Sequence, residues 1–269
     1  MTFLEKIINA QQTNRSLLCI GLDTDIKKIP STLKNDPDPV ASFNKAIIEA
    51  TKDLACTYKP NIAYYEAMGT KGFGSIEKTL DAIPKYIFTI VDAKRGDIGS
   101  TSDQYAFAYQ QALPFDAITL SPYMGYDSVE PFLRDPARGA IFLGVTSNPG
   151  AKDFQYLELA NGKKIYEQVT DTVNTWNEQT HNCGLVVGAT KPSELEALRM
   201  RAPKLPFLVP GVGAQGGSLE DVLKANGSGI AIINASRSII YASGGSDFAE
   251  AARREAEKLV SQMRALYSF

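Results

Sequence analysis

The stretch YIFTIVDAKRGDIGST, residues 86–101, passes from an apolar run into three closely spaced charges. Tyr86-Ile87-Phe88-Thr89-Ile90-Val91 is dominated by β-branched and aromatic side chains, which suit a buried strand. A buried strand that finishes in Asp92, Lys94 and Asp97 must deliver those charges to a face that uses them. Seven further runs have the same character: LLCIGLD (17–23), CTYKPN (56–61), DAITLSP (116–122), AIFLGVTS (140–147), GLVVGAT (184–190), FLVPGVG (207–213) and GIAIINASR (229–237). Between them lie amphipathic stretches such as 40–55, 165–179 and 193–201, and DFAEAARREAEKLVSQMRALY (247–267) reads as a long closing helix. Eight strands alternating with helices over about 250 residues is the pattern of an α/β protein of the (β/α)8 TIM-barrel class. A doubly wound open sheet is the alternative, weakened because no GxGxxG follows the first strand and no GxxxxGK[ST] occurs. No Pro/Gly/Ser linker interrupts the chain, so residues 1–269 read as one barrel domain.

Composition narrows the chemistry. The chain has 269 residues, 44% of them hydrophobic and 22% charged, with a net charge of −2. That allows a sizeable core and offers no basic stripe for nucleic acid. The opening MTFLEKIINAQQTNRS has charged and polar residues in its first turns, which reads as neither a signal peptide nor a membrane span and suggests a cytoplasmic protein. Cys19, Cys56 and Cys183 are odd in number and widely spaced, so they read as small buried hydrophobes rather than a disulfide or zinc site. The single histidine, His181, sits in the polar stretch NEQTHNCG with no partner motif for a triad or a metal cluster. Catalysis is left to carboxylates, lysines and backbone donors, with no metal and no organic cofactor expected.

In such barrels the active face is built at the carboxyl ends of the strands. Those ends carry Asp23, Lys59, Asp92 and Lys94, with Asp97 just beyond, then Ser147, Pro210 with GVGAQGG, and Ser236-Arg237. Strand alternation turns residues two apart to one side, so Asp92 and Lys94 are expected to enter the same mouth. Asp97 as a helix cap and Asp92–Lys94 as a rim ion pair is the bland alternative. A Lys-Asp-Lys-Asp array has a more definite consequence, because carboxylates within about 4–6 Å favour the ammonium form of a lysine. Lys94 then suits a proton donor or cation stabiliser and not a Schiff-base nucleophile, which must be a neutral amine. The Gly-rich loop 211–217 and Arg237, after the last two strands, lie where barrels often bind phosphate.

DAKRGDI followed by Thr101 resembles the Asp-x-Lys-x-x-Asp-Ile-x-x-Thr signature of the orotidine 5′-monophosphate decarboxylase family. GLD (21–23), YKPN (58–61), TLSPYMG (119–125), TSNPG (146–150), PGVGAQGG (210–217) and SR (236–237) extend the resemblance in order along almost the whole chain. Its length and motifs look like the longer bacterial branch. The resemblance implies decarboxylation of orotidine 5′-monophosphate to UMP, with Lys94 protonating C6 and Asp92 set against the substrate carboxylate. It implies that Lys59 orients Asp92 and touches the ribose, as does Asp23. Ser147 would bond the pyrimidine, Gln215 would bridge base and phosphate, Arg237 would hold the phosphate and Pro210 would wall the pocket. Asp97 and Thr101 would reach the neighbouring subunit's ligand, making a homodimer with shared sites. Ser236 departs from the glycine that many relatives have there, where only a backbone donor is needed.

Two other readings stand beside this one. Sugar-phosphate decarboxylases and aldol-type synthases of the same superfamily share the Asp-x-Lys-x-x-Asp core and resemble magnesium enzymes. A non-catalytic nucleotide-binding barrel is the second, opposed by a carboxylate that would repel its ligand. The segment NPGAKDFQYLELANGKK (148–164) reads as either a lid or a surface hairpin.

Overall fold

The computed structural model describes residues 1–213 and 216–269. Among these, the chain order begins α1 (Phe3–Asn14), β1 (Leu18–Leu22), α2 (Pro39–Thr51), β2 (Thr57–Pro60), α3 (Ile62–Glu66), α4 (Thr70–Ala82), β3 (Phe88–Arg95), α5 (Gly99–Phe107) and β4 (Ala117–Leu120). It continues with β5 (Gly139–Val145), α6 (Ala151–Phe154), α7 (Ile165–Thr180), β6 (Cys183–Val187), α8 (Pro192–Arg201), β7 (Phe207–Pro210), α9 (Leu219–Asn226), β8 (Ala231–Ala235), α10 (Arg237–Ile240) and α11 (Phe248–Leu266). The strands close into a parallel barrel in the order β1 to β8, so each expected run holds a strand; β5 and β6 start one residue before their runs, and β3 extends to Arg95. The β4–β5 connection has short 3-10 turns at Tyr126–Ser128 and Glu130–Phe132 in place of an α-helix. No helix among the described residues is long and apolar enough to cross a membrane.

The chain divides into two compact units. One comprises Lys6–Ala93 and Asn234–Phe269. Its strands β1 and β2 pair in parallel from Cys19 opposite Thr57 to Leu22 opposite Pro60, and β2 pairs with β3 at Thr57–Phe88 and Tyr58–Thr89. Helix α2 starts where Asp38 accepts the N–H of Ala41 and Pro39 supplies a preset φ. It buries Val40, Phe43, Ile47 and Ile48, and α11 buries Phe248, Ala252, Ala256, Val260 and Met263 on a helical stripe. The Phe43 and Phe248 rings stack at 5.0 Å, and Arg253 locks the pair with bonds of 2.7 and 2.8 Å to the carboxylate of Asp53.

The other unit comprises Met1–Glu5 and Lys94–Ile233. Strands β4 to β7 pair in parallel, with a register shift in β5 between Leu143 and Val145. Gly139 opens β5 because the Phe3 ring lies where a side chain would be. Asn182 is wholly buried, and its amide nitrogen donates to the carbonyls of Leu133, Asp135 and Arg138, tying the β4–β5 loop to the start of β6. His181 is exposed and caps α7 in the left-handed conformation, φ 58°, which is a structural use of the residue. The segment 148–164 holds α6 and a tight antiparallel turn in which Leu159 and Lys163 are joined by a 2.8 Å bond.

Candidate active site

In the first unit the carboxyl ends of β1, β2, β3 and β8 gather four of the expected residues: Asp23 and Asp92 flank the ammonium of Lys59, and Ser236 holds Asp23. Lys59 is only 4% exposed, and its Nζ donates to Asp92 Oδ2 at 3.2 Å and lies 3.9 Å from Asp23 Oδ1. Burial works against its charge, but the carboxylates of Asp92 and Asp23 outweigh it and hold the ammonium above the ordinary lysine range. The Ser236 hydroxyl reaches Asp23 Oδ2 at 2.8 Å and the Gly21 carbonyl at 3.0 Å. Asp23 Oδ1 is buried without a hydrogen-bond partner among the described residues. A buried carboxylate oxygen facing a lysine beyond bonding distance is an acceptor that a ligand hydroxyl could fill.

The backbone around Asp23 is held from several sides. Tyr65 Oη donates to the Leu22 carbonyl at 3.2 Å, Tyr241 Oη donates to the Asp23 carbonyl at 3.2 Å, and Tyr241 Oη accepts the Asp25 N–H at 2.6 Å. Thr24 donates to Asn44 Oδ1 at 2.5 Å, and the Asn44 amide nitrogen donates to Tyr65 and Thr79. Thr24, Asn44, Tyr65 and Thr79 are all buried. Gly21 leaves room for Ser236, because an ideal Cβ there would lie 2.8 Å from its Cβ and Oγ. These supports were not singled out from sequence; the GLD motif carried the signal for Gly21, and nothing local marked Asn44.

Arg237 follows Ser236 as the first residue of α10 and is exposed. Cys19, Cys56 and Cys183 are free and buried, and burial pushes the Cys56 and Cys183 thiols up to about 12, as expected of inert packing residues. Among the described residues no group of three or more His, Cys, Asp or Glu is placed to hold a metal ion.

In the second unit, Lys94 lies in β3 yet sits at φ 50°, outside the extended backbone that strand alternation assumes. A non-glycine residue in this left-handed region costs about 1–3 kcal/mol and tends to mark a functional position. The Lys94 N–H donates to Thr119 Oγ1 at 3.1 Å, and the next carbonyl, that of Arg95, accepts from the Ser121 N–H at 2.9 Å. Asp97 does not cap α5; the N-cap is Ile98, and the Asp97 carboxylate accepts the Ile98 N–H at 2.8 Å. Ile98 is 58% exposed, and Thr101 lies exposed in the first turn of α5.

Ser147 follows β5, half-buried, with Gly188 so close that an ideal Cβ there would lie 3.2 Å from its Cβ. Gln155, also unforeseen, grips the preceding residue: its Oε1 accepts the Thr146 N–H at 2.9 Å and its Nε2 donates to Thr146 Oγ1 at 2.8 Å. Pro210 ends β7, and its carbonyl accepts the Ala189 N–H. In the glycine loop, the N–H groups of Gly213, Gly216 and Gly217 donate to carbonyls of Gly217, Gly213 and Gly211. Those three donors hold the loop together and are not turned to an anion. Gln215 lies outside the described residues.

A parallel barrel that keeps a buried, carboxylate-flanked lysine at the carboxyl ends of its strands has the make-up of a barrel enzyme. The chain belongs to the orotidine 5′-phosphate decarboxylase / HUMPS family, whose model matches residues 16–254. It is 52% identical over 265 residues to the orotidine 5′-phosphate decarboxylase of Herpetosiphon aurantiacus, covering 98% of both chains. The enzyme of the same name from Flavobacterium johnsoniae is 51% identical over 254 residues, covering 93% of this chain and 92% of that one. Among solved structures, Leishmania donovani OMP decarboxylase matches with a TM-score of 0.83 and 37% identity, over 99% of this chain and all of that one. Leishmania donovani UMP synthase matches with a TM-score of 0.85 and 38% identity over 98% of this chain, which spans 57% of the synthase.

Proposed function

We propose that this chain decarboxylates orotidine 5′-monophosphate to uridine 5′-monophosphate and CO2, the last step of UMP synthesis. The observation that carries the reading is the buried Lys59 held between Asp92 and Asp23, in a chain half identical to proteins named for that reaction. In the proposed reaction the C6–carboxylate bond breaks, CO2 leaves, and the electron pair stays on C6. The Lys94 ammonium gives C6 its proton and is later recharged from water. Asp92 lies against the departing carboxylate, while Lys59 fixes Asp92 and stabilises developing negative charge. Asp23, with its unfilled Oδ1, and Lys59 take the ribose hydroxyls. Ser147 bonds the base, Pro210 walls it, Gln215 bridges base and phosphate, and Arg237 binds the phosphate with the backbone at Ser236.

The proposal extends to a cytoplasmic homodimer of single-domain barrels, in which Asp97 and Thr101 complete the neighbour's site. An Asp97 that does not cap its helix, beside an exposed Ile98, supports that placement. No metal or organic cofactor enters the reaction. The test is the loss of orotate absorbance on mixing with substrate, repeated after exhaustive EDTA dialysis. Saturable UMP binding without turnover would make the chain a nucleotide-binding barrel. Activity lost on dialysis and restored by Mg2+ would place it with the metal-dependent sugar-phosphate enzymes of the superfamily.

A further inference from the structure

Lys94 is the one residue of the DAKRGD segment whose backbone lies in the left-handed region, and strand geometry does not hold it there. What holds it comes from the next strand. Thr119, in β4, is 1% exposed and β-branched, so its Oγ1 is an acceptor with little freedom to turn. That oxygen accepts the Lys94 N–H at 3.1 Å, and two residues on, the Ser121 N–H donates to the Arg95 carbonyl at 2.9 Å. Strand β4 and the residue just past it therefore hold the chain at the strained residue and at the one that follows. The direction in which a lysine leaves the chain is set by its backbone angles, and a change at φ swings the whole four-carbon stem.

We propose that Thr119 is a positioning residue for the Lys94 ammonium. Its hydroxyl keeps Lys94 in the left-handed conformation that aims the proton donor at C6. The inference rests on the reading of Lys94 as that donor. It assigns Thr119 no contact with the substrate, so substrate grip and proton delivery should separate when the hydroxyl is removed.

The experiment compares Thr119→Val, which keeps the volume and loses the acceptor, with Thr119→Ser, which keeps the acceptor. Thr119→Val is expected to lower kcat about 10- to 100-fold, the scale of a misplacement near 1 Å. Its Kd for UMP should stay within about threefold, and Thr119→Ser should recover most of kcat. Thr119→Ala replaces the valine variant if that one does not fold, with the same split expected. An unchanged kcat in a folded variant, or equal losses in kcat and UMP affinity, overturns the positioning role. A serine variant as slow as the valine variant overturns it too. A wild-type protein without decarboxylase activity overturns the underlying reading instead, and that is seen before any variant is made.

Discussion

At Lys59 two carboxylates outweigh the cost of burying an ammonium, and the balance has a measurable consequence. Because its pKa is raised on folding, Lys59 contributes stability in full below the unfolded lysine value and loses it only as the pH climbs through the raised one. Lys59→Met removes the cation and leaves Asp23 and Asp92 facing a shared apolar gap. Breaking a buried pair in this way is expected to cost about 3–5 kcal/mol at pH 7. Without the cation the two carboxylates repel each other, and protonating either one as the pH falls relieves that repulsion in the folded variant. The deficit of Lys59→Met relative to wild type should therefore shrink between neutral pH and about pH 5. Urea unfolding of both proteins across that range checks the sign. A deficit that grows on acidification would mean that the carboxylates are not held against one another.

Strands are where the sequence is most readable, and their exits are where it is least so. Most strands announced themselves by a run of β-branched and aliphatic residues, β2 only by the short CTYKPN, and all eight of these runs lie in the barrel. The polar residues at their carboxyl ends were legible for the same reason, since period and burial leave charges only one place to go. What lies past the last ladder bond depends on contacts distant in the chain. The left-handed turn at Lys94 is made with Thr119, the support of Thr146 comes from Gln155, and Asn44 braces a strand it does not belong to. Glycine permits a backbone conformation without saying where its N–H groups point, and in the glycine loop those of Gly213, Gly216 and Gly217 bond to carbonyls of the loop itself. The close approach of β1 and β8 at Gly21 is testable. Gly21→Ala would drive a methyl into Ser236, whose Cβ cannot move aside, at a cost of about 1–3 kcal/mol. Most of the loss should vanish in a Ser236→Gly background, read as a double-mutant cycle by denaturant unfolding. Additive losses would show that the two residues do not meet.

At the scale of the whole molecule, the proposed shared site makes a prediction that no single subunit can. Lys94→Ala and Asp97→Ala homodimers should each be nearly inactive, because each lacks a group needed in both sites. After subunit exchange, a mixed dimer keeps one site with both groups, so roughly a quarter of all sites should recover under random pairing. Absence of recovery, with heterodimers shown to form, would assign Asp97 to its own subunit. The bond from Ser236 to Asp23 adds a consequence in time. It joins residues 213 positions apart, and the unit that holds the Lys59 cluster draws on both ends of the chain. On a ribosome working at about 5–20 residues per second, Asp23 waits roughly 10 to 40 s for Ser236 to be made. An unfinished chain carries Lys59 and its carboxylates without the serine that steadies one of them. The ionic centre is assembled only after Ser236 has been made, so chains that stop short of it lack a finished centre.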